Sequence, residues 1–396
     1  MAYFASLALA VAAWAQFQIL PWRIGRLGVD DFARIWAGPR AFVLGLDPYD
    51  ALTWVDTAIR LGTPAPDTAV YLYPPWVAVA LAPFGAAPVV PATIVWLAGG
   101  IVAAVATLRA LLRAVLPGVA WAHGLAGLLL LGSAPSVVTL MTGQWSFWFV
   151  AALAGIALLV RVGRPSAAGL LATAMLAKPP LFIFAAAALA VHDLWPTKPP
   201  MRPGRLVGAG LLGGVALVSL GWALLPSWWP AWLRHVAAVQ LDISPIALPT
   251  LFRALIGQGG DWVAAAVLLV CVAAALRFHP RGAAWLPVWF ALSITGVVYS
   301  NTYDALLLIV PLVLAAGAAP RGFRKAVPLV GGSVLLLGVM PYLHANSALI
   351  YAVIAPLLAF VLIVGSLWPV RAANARETST RVIALGSADG RPRRQD

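Results

Sequence analysis

Cysteine occurs once, as Cys271 inside an apolar run, so the chain can form no intramolecular disulfide, CxxC metal site or redox pair. Charge is scarce: 10% of the 396 residues are charged, against roughly 25% in an ordinary soluble domain. Water is therefore not the main solvent of this chain. There is no Walker A loop, no GxSxG, no HExxH and no histidine pair at metal-ligand spacing among the five histidines. Asp-x-Asp, the arrangement that holds a divalent metal against a nucleotide-sugar diphosphate, is also missing. No metal site or cofactor is expected, and a phosphate-bearing substrate would have to be held by arginine and lysine. No basic leader precedes the first apolar run, which meets Pro21-Trp22-Arg23 without a small-residue cleavage site and reads as a retained helix.

What is present is apolar sequence: 62% of residues are hydrophobic, in runs that approach the length of a bilayer crossing. Stretches such as Ala264 to Ala275 are apolar at every position, which excludes the alternating strands of a membrane barrel. The expected fold class is all-α, a polytopic transmembrane helical bundle of twelve or thirteen segments. These lie near residues 2–20, 70–86, 89–108, 119–140, 144–160, 166–177, 179–195, 205–225, 261–277, 283–299, 304–319, 326–343 and 348–369. Prolines at 74–75, 135 and 179–180 bound or interrupt several of them, as in half-spans buried by protein.

The net charge of +13 would suggest nucleic acid in a soluble protein. Here the basic residues sit in short loops and the tail, so they are read as orientation signals, with no nucleic-acid partner. Arg321, Arg324 and Lys325, and the tail from Arg371 to Arg394, are assigned to the cytoplasm. Thirteen full spans would place residues 22–68 on the same side, so one segment, 70–86 or 119–140, is expected not to cross fully. Residues 1–370 then form a single transmembrane domain and 371–396 a basic, disordered cytoplasmic tail. The Gly210–Gly214 pair suits internal helix packing better than dimerisation.

Two hydrophilic segments, 22–68 and 226–260, exceed what a connector needs. The first carries Asp30, Asp31, Asp47, Asp50, Asp56 and Asp67 together with five arginines. The second is rich in tryptophan, at 228, 229 and 232, for which a membrane-interface belt is the simplest account. Three polar residues are conspicuous. Asp31 sits at an apolar boundary and suits either a general base or a helix cap. Lys178, flanked by apolar runs, suits either snorkelling or phosphate binding, since a lysine at mid-helix costs roughly 2.5–3.5 kcal/mol on insertion. Asp304, beside Tyr303 at the start of an apolar helix, suits either helix capping or a site.

Asp31-Phe32, then Ala41 to Asp50 (AFVLGLDPYD), Tyr71 to Pro75 (YLYPP), Pro83-Phe84, Gly143 to Phe147 (GQWSF), Arg161, Ala168-Gly169, Lys178-Pro179 and Ser300 to Asp304 occur in an order that resembles glycosyltransferase family 87. The likeness covers nearly residues 10 to 320. It implies the GT-C architecture, a long non-cytoplasmic loop with an acidic catalytic residue, and α-mannosyl transfer from a polyprenyl-phosphate sugar donor to an envelope glycan or glycolipid acceptor. In that setting Asp31 is the base of an inverting reaction, with Asp30 as its competitor. Arg34, Arg40 and Lys178 are the donor-phosphate candidates, and Arg34 shares a helix face with Asp31 at i,i+3. Tyr49, Tyr73, Gln144, Tyr303 and Asp304 are the sugar or acceptor candidates. The chain departs from the pattern of some mannosyltransferases of this group in having Ala305 and Leu306, and no histidine, after Tyr303-Asp304.

A transporter or flippase of a lipid-linked or small solute is the alternative, since it too uses helix-breaking prolines and intramembrane charge. The acidic cluster in a loop favours the enzyme. The Ala, Gly, Arg and Trp bias fits a GC-rich bacterium, hence a plasma membrane with the site on its outer face.

Overall fold

A computed structural model describes residues 30–49, 54–61, 71–194, 203–238, 248–278, 286–296, 300–319, 326–339, 354 and 356–365. Every regular element among them is helical. In chain order the first are α1 (Asp30–Leu44), α2 (Trp54–Leu61), α3 (Pro75–Ala80), α4 (Ala82–Ala86), α5 (Val89–Val115), α6 (Ala120–Gly132), α7 (Ala134–Thr142) and α8 (Ser146–Arg161). Then come α9 (Pro165–Ala172), 3-10 turns at Thr173–Ala177 and Pro179–Phe182, α10 (Ile183–Leu194), α11 (Arg205–Leu224), α12 (Trp228–Ala238), α13 (Leu248–Ile256) and α14 (Gly260–Phe278). The last are α15 (Leu286–Thr295), a 3-10 helix over Thr302–Leu308 that runs into α16 (Ile309–Ala318), α17 (Ala326–Ser333) with a π-helical end over Val334–Val339, and α18 (Pro356–Gly365).

Burial sorts these helices into two kinds. All ten residues of α15, and every residue from Thr302 to Ala316, are buried, so this apolar stretch is the centre of the bundle. By contrast α5, α11 and α14 turn Ile94, Val102, Leu212, Val215, Leu269 and Val270 outward. A helix that is apolar all round and exposed on one side faces hydrocarbon. This is a membrane protein.

Among the described residues three stretches are long and apolar enough to cross: Val89–Val115, Arg205–Leu224 and Leu248–Ala273. A fourth forms if α6 and α7, bent by 42° at Ser133, make one broken span. The third stretch is turned at Gly257–Gly259, where Gly260 seats against the backbone of Phe252 and Arg253, so its uninterrupted part is α14. The expected second long loop thus gives way to helix from Leu248 onward. Other expected segments are short helices, and 70–86 is two of them, six and five residues long. The expected first helix at 2–20, the Arg321–Lys325 cluster and the 371–396 tail lie outside the described residues.

Small residues set the closest approaches. Gly99 and Gly100 on α5 face the Trp148 ring of α8. Gly210 lies on the Gly169 backbone and Gly214 on Leu176, so this small-residue pair does pack inside the bundle. Gly85 meets the Pro39–Arg40 backbone, so a side chain there would push α4 off α1.

Candidate active site

α1 forms because Phe32, Ile35 and Trp36 recur at helical spacing and are fully buried, while acids in its first turn suit the positive end of the helix dipole. It stops at Gly45, whose φ of +67° is the left-handed geometry of a helix end; the Leu46 N–H closes the turn on the Ala41 carbonyl at 2.9 Å. The Trp36 indole donates to the Phe84 and Ala87 carbonyls at 3.1 and 3.0 Å, which anchors α1 on α4.

This anchoring presents Asp31, in the first turn, at the α7–α8 junction. Gln144 Nε2 donates to Asp31 Oδ2 at 3.0 Å, and Arg34 Nη1 lies 3.8 Å from Oδ1. The Asp31 side chain is 25% exposed and Arg34 47%, whereas Gln144 is buried. The junction is rigid. Gly143 takes φ +73°, its N–H closes on the Thr139 carbonyl at 2.8 Å, and its own carbonyl accepts from Trp96 Nε1 at 3.0 Å. The Trp96 ring packs between Phe32 and Trp145, with centroids 5.6 and 4.7 Å away, and so locks the neighbours of Asp31 and Gln144 to each other. Asp30 opens α1, but its side chain lies outside the described residues.

A second polar centre lies where the Thr302–Leu308 helix packs on α7 and α8. Lys178 Nζ donates to Asp304 Oδ2 at 2.7 Å, with both side chains buried, and sits 4.9 Å above the Tyr303 ring. Asp304 also accepts the Asn301 N–H at 2.9 Å, and Asn301 Nδ2 donates to the Tyr303 hydroxyl at 2.8 Å. Asp304 thus caps its helix and neutralises Lys178 at once. Both readings of Asp304 assumed one partner, and the ion pair across the sequence is what they missed. A line of ring contacts, Trp145 to Phe149 to Phe182, runs from the first centre to the 3-10 turn that follows Lys178.

Tyr49 and Tyr73 belong to an aromatic wall beside these centres. Tyr49 donates its hydroxyl to the Tyr73 carbonyl and packs on Tyr71 and Trp228; Tyr73 packs on Tyr71 and Trp145. Burial first, then the neighbouring Tyr71 and Asp47, push the Tyr49 phenol well above its usual range, so it is a neutral donor. Trp228 and Trp229 are buried against Tyr49 and Trp76, which makes α12 part of this wall instead of an interface belt.

The candidates therefore fall into groups. Asp31, Arg34 and Gln144 come together, as do Lys178, Tyr303 and Asp304. Arg40 joins neither: nine residues after Asp31, it lies on the opposite side of α1 and about 13 Å along it. Its Nη1 donates to the Gly85 carbonyl at 3.1 Å and its guanidinium sits 5.8 Å from the Trp36 ring. Trp96 and Asn301 were not singled out from the sequence. Nothing marked Trp96 within its apolar run, whereas Asn301, directly before Thr302-Tyr303-Asp304, had the composition of a helix cap. No three His, Cys, Asp or Glu side chains gather anywhere among the described residues. The sequence model of glycosyltransferase family 87 matches residues 71–311. That match takes in Gln144, Lys178 and Tyr303-Asp304 and starts beyond α1. No curated protein and no solved structure matches the chain significantly.

Proposed function

Because the chain belongs to glycosyltransferase family 87 and is thus a membrane glycosyltransferase, we propose that it moves a hexose, mannose, from a polyprenyl-phosphate donor to an envelope glycan or glycolipid acceptor. The reading rests on one observation, the Asp31 carboxylate held by Gln144 and open to a substrate on its other side.

In this mechanism the acceptor hydroxyl approaches Asp31 and its oxygen attacks the anomeric carbon. Asp31 takes the hydroxyl proton as the new C–O bond forms. The bond from the anomeric carbon to phosphate oxygen breaks on the opposite face, its electron pair leaves with the phosphate, and configuration inverts. The leaving phosphate gains charge, so a cation beside it lowers the barrier. Arg34 is the first candidate for that role, being half exposed, and would reach the phosphate by turning from Asp31 toward the opposite face of the sugar. Lys178 would reach the phosphate only by sharing itself with Asp304, and Arg40 only by leaving the Gly85 carbonyl. A lipid-phosphate donor enters from the bilayer and needs no nucleotide site, in keeping with the missing Asp-x-Asp triplet. Tyr49, Tyr73 and Tyr303 remain the residues proposed to touch the sugar or acceptor; Gln144, bonded to Asp31, and Asp304, which accepts from Lys178 and Asn301, would meet it only by sharing those bonds.

The same reading takes residues 1–370 as one GT-C unit with twelve or thirteen membrane segments in a bacterial plasma membrane. Its site faces the non-cytoplasmic side and residues 371–396 lie in the cytoplasm.

The test is transfer from radiolabelled polyprenyl-phosphate mannose to endogenous acceptors in membranes that carry wild type or Asp31→Asn at equal protein level. A drop of about 10²- to 10⁴-fold in the variant supports the base. Equal transfer by both proteins moves the role to Asp30. A wild type that transfers another hexose but not mannose keeps the reaction and changes the sugar.

A further inference from the structure

Gln144 stands out because one end of its amide is bonded and the other is not. Nε2 donates to Asp31 Oδ2 at 3.0 Å, while Oε1 is buried and has no hydrogen-bond partner among the described residues. A buried amide oxygen without a partner is unfavourable and rare. The opposite orientation would set Oε1 against a carboxylate oxygen, two acceptors facing each other. Among the described residues it is the Asp31 carboxylate that orients the amide. Its backbone is clamped from behind by the left-handed turn at Gly143 and the Trp96 indole on the Gly143 carbonyl.

We infer that Gln144 is a positioning residue for the base, and that it acts by donating a hydrogen bond to ionised Asp31. This rests on the proposed role of Asp31 and goes beyond it, because Gln144 was expected to meet the sugar or acceptor. A hydrogen bond to the charged form of an acid favours that form. Gln144 thus holds Oδ2 and fixes which oxygen, Oδ1, is left to take the acceptor's proton. Once Oδ1 is protonated, Oδ2 is still an acceptor and can keep the Nε2–H bond.

Among the described residues few other charges bear on Asp31. On α1 they are Arg34, Arg40 on the far side, and Asp30. On α2, which packs against α1, Asp56 and Arg60 are both exposed. α3, α4 and α7 carry no titratable side chain. α5 carries Arg109 and Arg113, about 20 Å or more along the helix from Trp96. Among the described residues Gln144 is the buried side chain that bonds this carboxylate.

The test reads the Asp31–Gln144 hydrogen bond itself, by infrared spectroscopy of the full-length protein in lipid, with the Asp31 carboxylate band identified by its loss in Asp31→Asn. In Gln144→Met, similar in size and without a donor, that band should leave its wild-type frequency, because the carboxylate has lost a donated hydrogen bond. In parallel, kcat in Gln144→Met should fall about tenfold with donor KM unchanged. An Asp31 band that stays at the wild-type frequency in Gln144→Met overturns the inference, as does a rise in KM with the band unmoved, which would return Gln144 to substrate contact. Failure of the base reading is a separate result, Asp31→Asn transferring as fast as wild type, and leaves the infrared band to decide the hydrogen bond by itself.

Discussion

The two acidic centres have the same ingredients, one aspartate, one cation and one amide-bearing partner, and opposite accessibility. Asp31 keeps a quarter of its side chain exposed and meets Arg34 at 3.8 Å. Asp304 is 1% exposed and holds Lys178 at 2.7 Å. A carboxylate that shares a loose contact with a half-exposed arginine keeps lone pairs for an incoming proton. One that accepts from both a buried ammonium and a backbone N–H has little left to offer. The same residue type thus serves reactivity at one centre and cohesion at the other. Burial of the partner decides which.

That contrast is sharpest in the largest predicted effect. Asp31→Asn should slow transfer by about 10²- to 10⁴-fold and leave the midpoint of thermal unfolding in detergent near that of wild type. Asp304→Ala should do the reverse first. It takes the carboxylate from a buried ion pair, and removing one partner of such a pair costs about 3–5 kcal/mol. The double change Lys178→Met with Asp304→Leu should recover most of that loss, because replacing both charges by apolar groups can be neutral or better. If Asp304→Ala unfolds like wild type but no longer transfers sugar, the division of labour is wrong and the second centre belongs to the reaction.

The arginines of α1 test the comparison at smaller scale. Arg34→Gln should weaken transfer about ten- to a hundredfold through the lost phosphate stabilisation and change stability by under about 0.5 kcal/mol, since exposed ion pairs contribute little. Arg40→Gln should instead lower stability by about 1 kcal/mol through its bond to the Gly85 carbonyl, with donor KM unchanged. Initial rates at varied donor, beside thermal unfolding, separate the two.

These arginines also mark how far the sequence could be read. The i,i+3 spacing of Asp31 and Arg34 was enough to predict a shared face, and 3.8 Å is the result. The same periodicity, carried nine residues to Arg40, already points to the other side of the helix. Gln144 and Lys178 were legible as polar residues in apolar surroundings, but their partners were not. Asp31 lies 113 positions from Gln144 and Lys178 126 from Asp304, and no local pattern encodes such a pairing. Trp228 and Trp229 fit an interface belt by composition alone. Only the placement of α12 against Tyr49 and Trp76 makes them wall residues. Membrane character was plain from hydrophobicity, whereas helix lengths were not, because prolines and glycines divide apolar runs into pieces that a hydropathy window joins.

The smallest effects should separate two adjacent tyrosines of that wall. Tyr49 donates its hydroxyl to the Tyr73 carbonyl, so Tyr49→Phe removes a made bond and should destabilise by about 0.5–1.5 kcal/mol. Tyr71 is equally buried, its ring filling the space above Gly38, but its hydroxyl has no hydrogen-bond partner among the described residues. Tyr71→Phe removes an unmet polar group and should be neutral or stabilising by up to about 1 kcal/mol. Thermal unfolding of the two variants side by side reads the difference, and transfer rates add its meaning. If Tyr71→Phe is stable but slow, the unpaired hydroxyl is waiting for a substrate oxygen, and the wall that holds Tyr49 and Tyr73 extends the reactive centre.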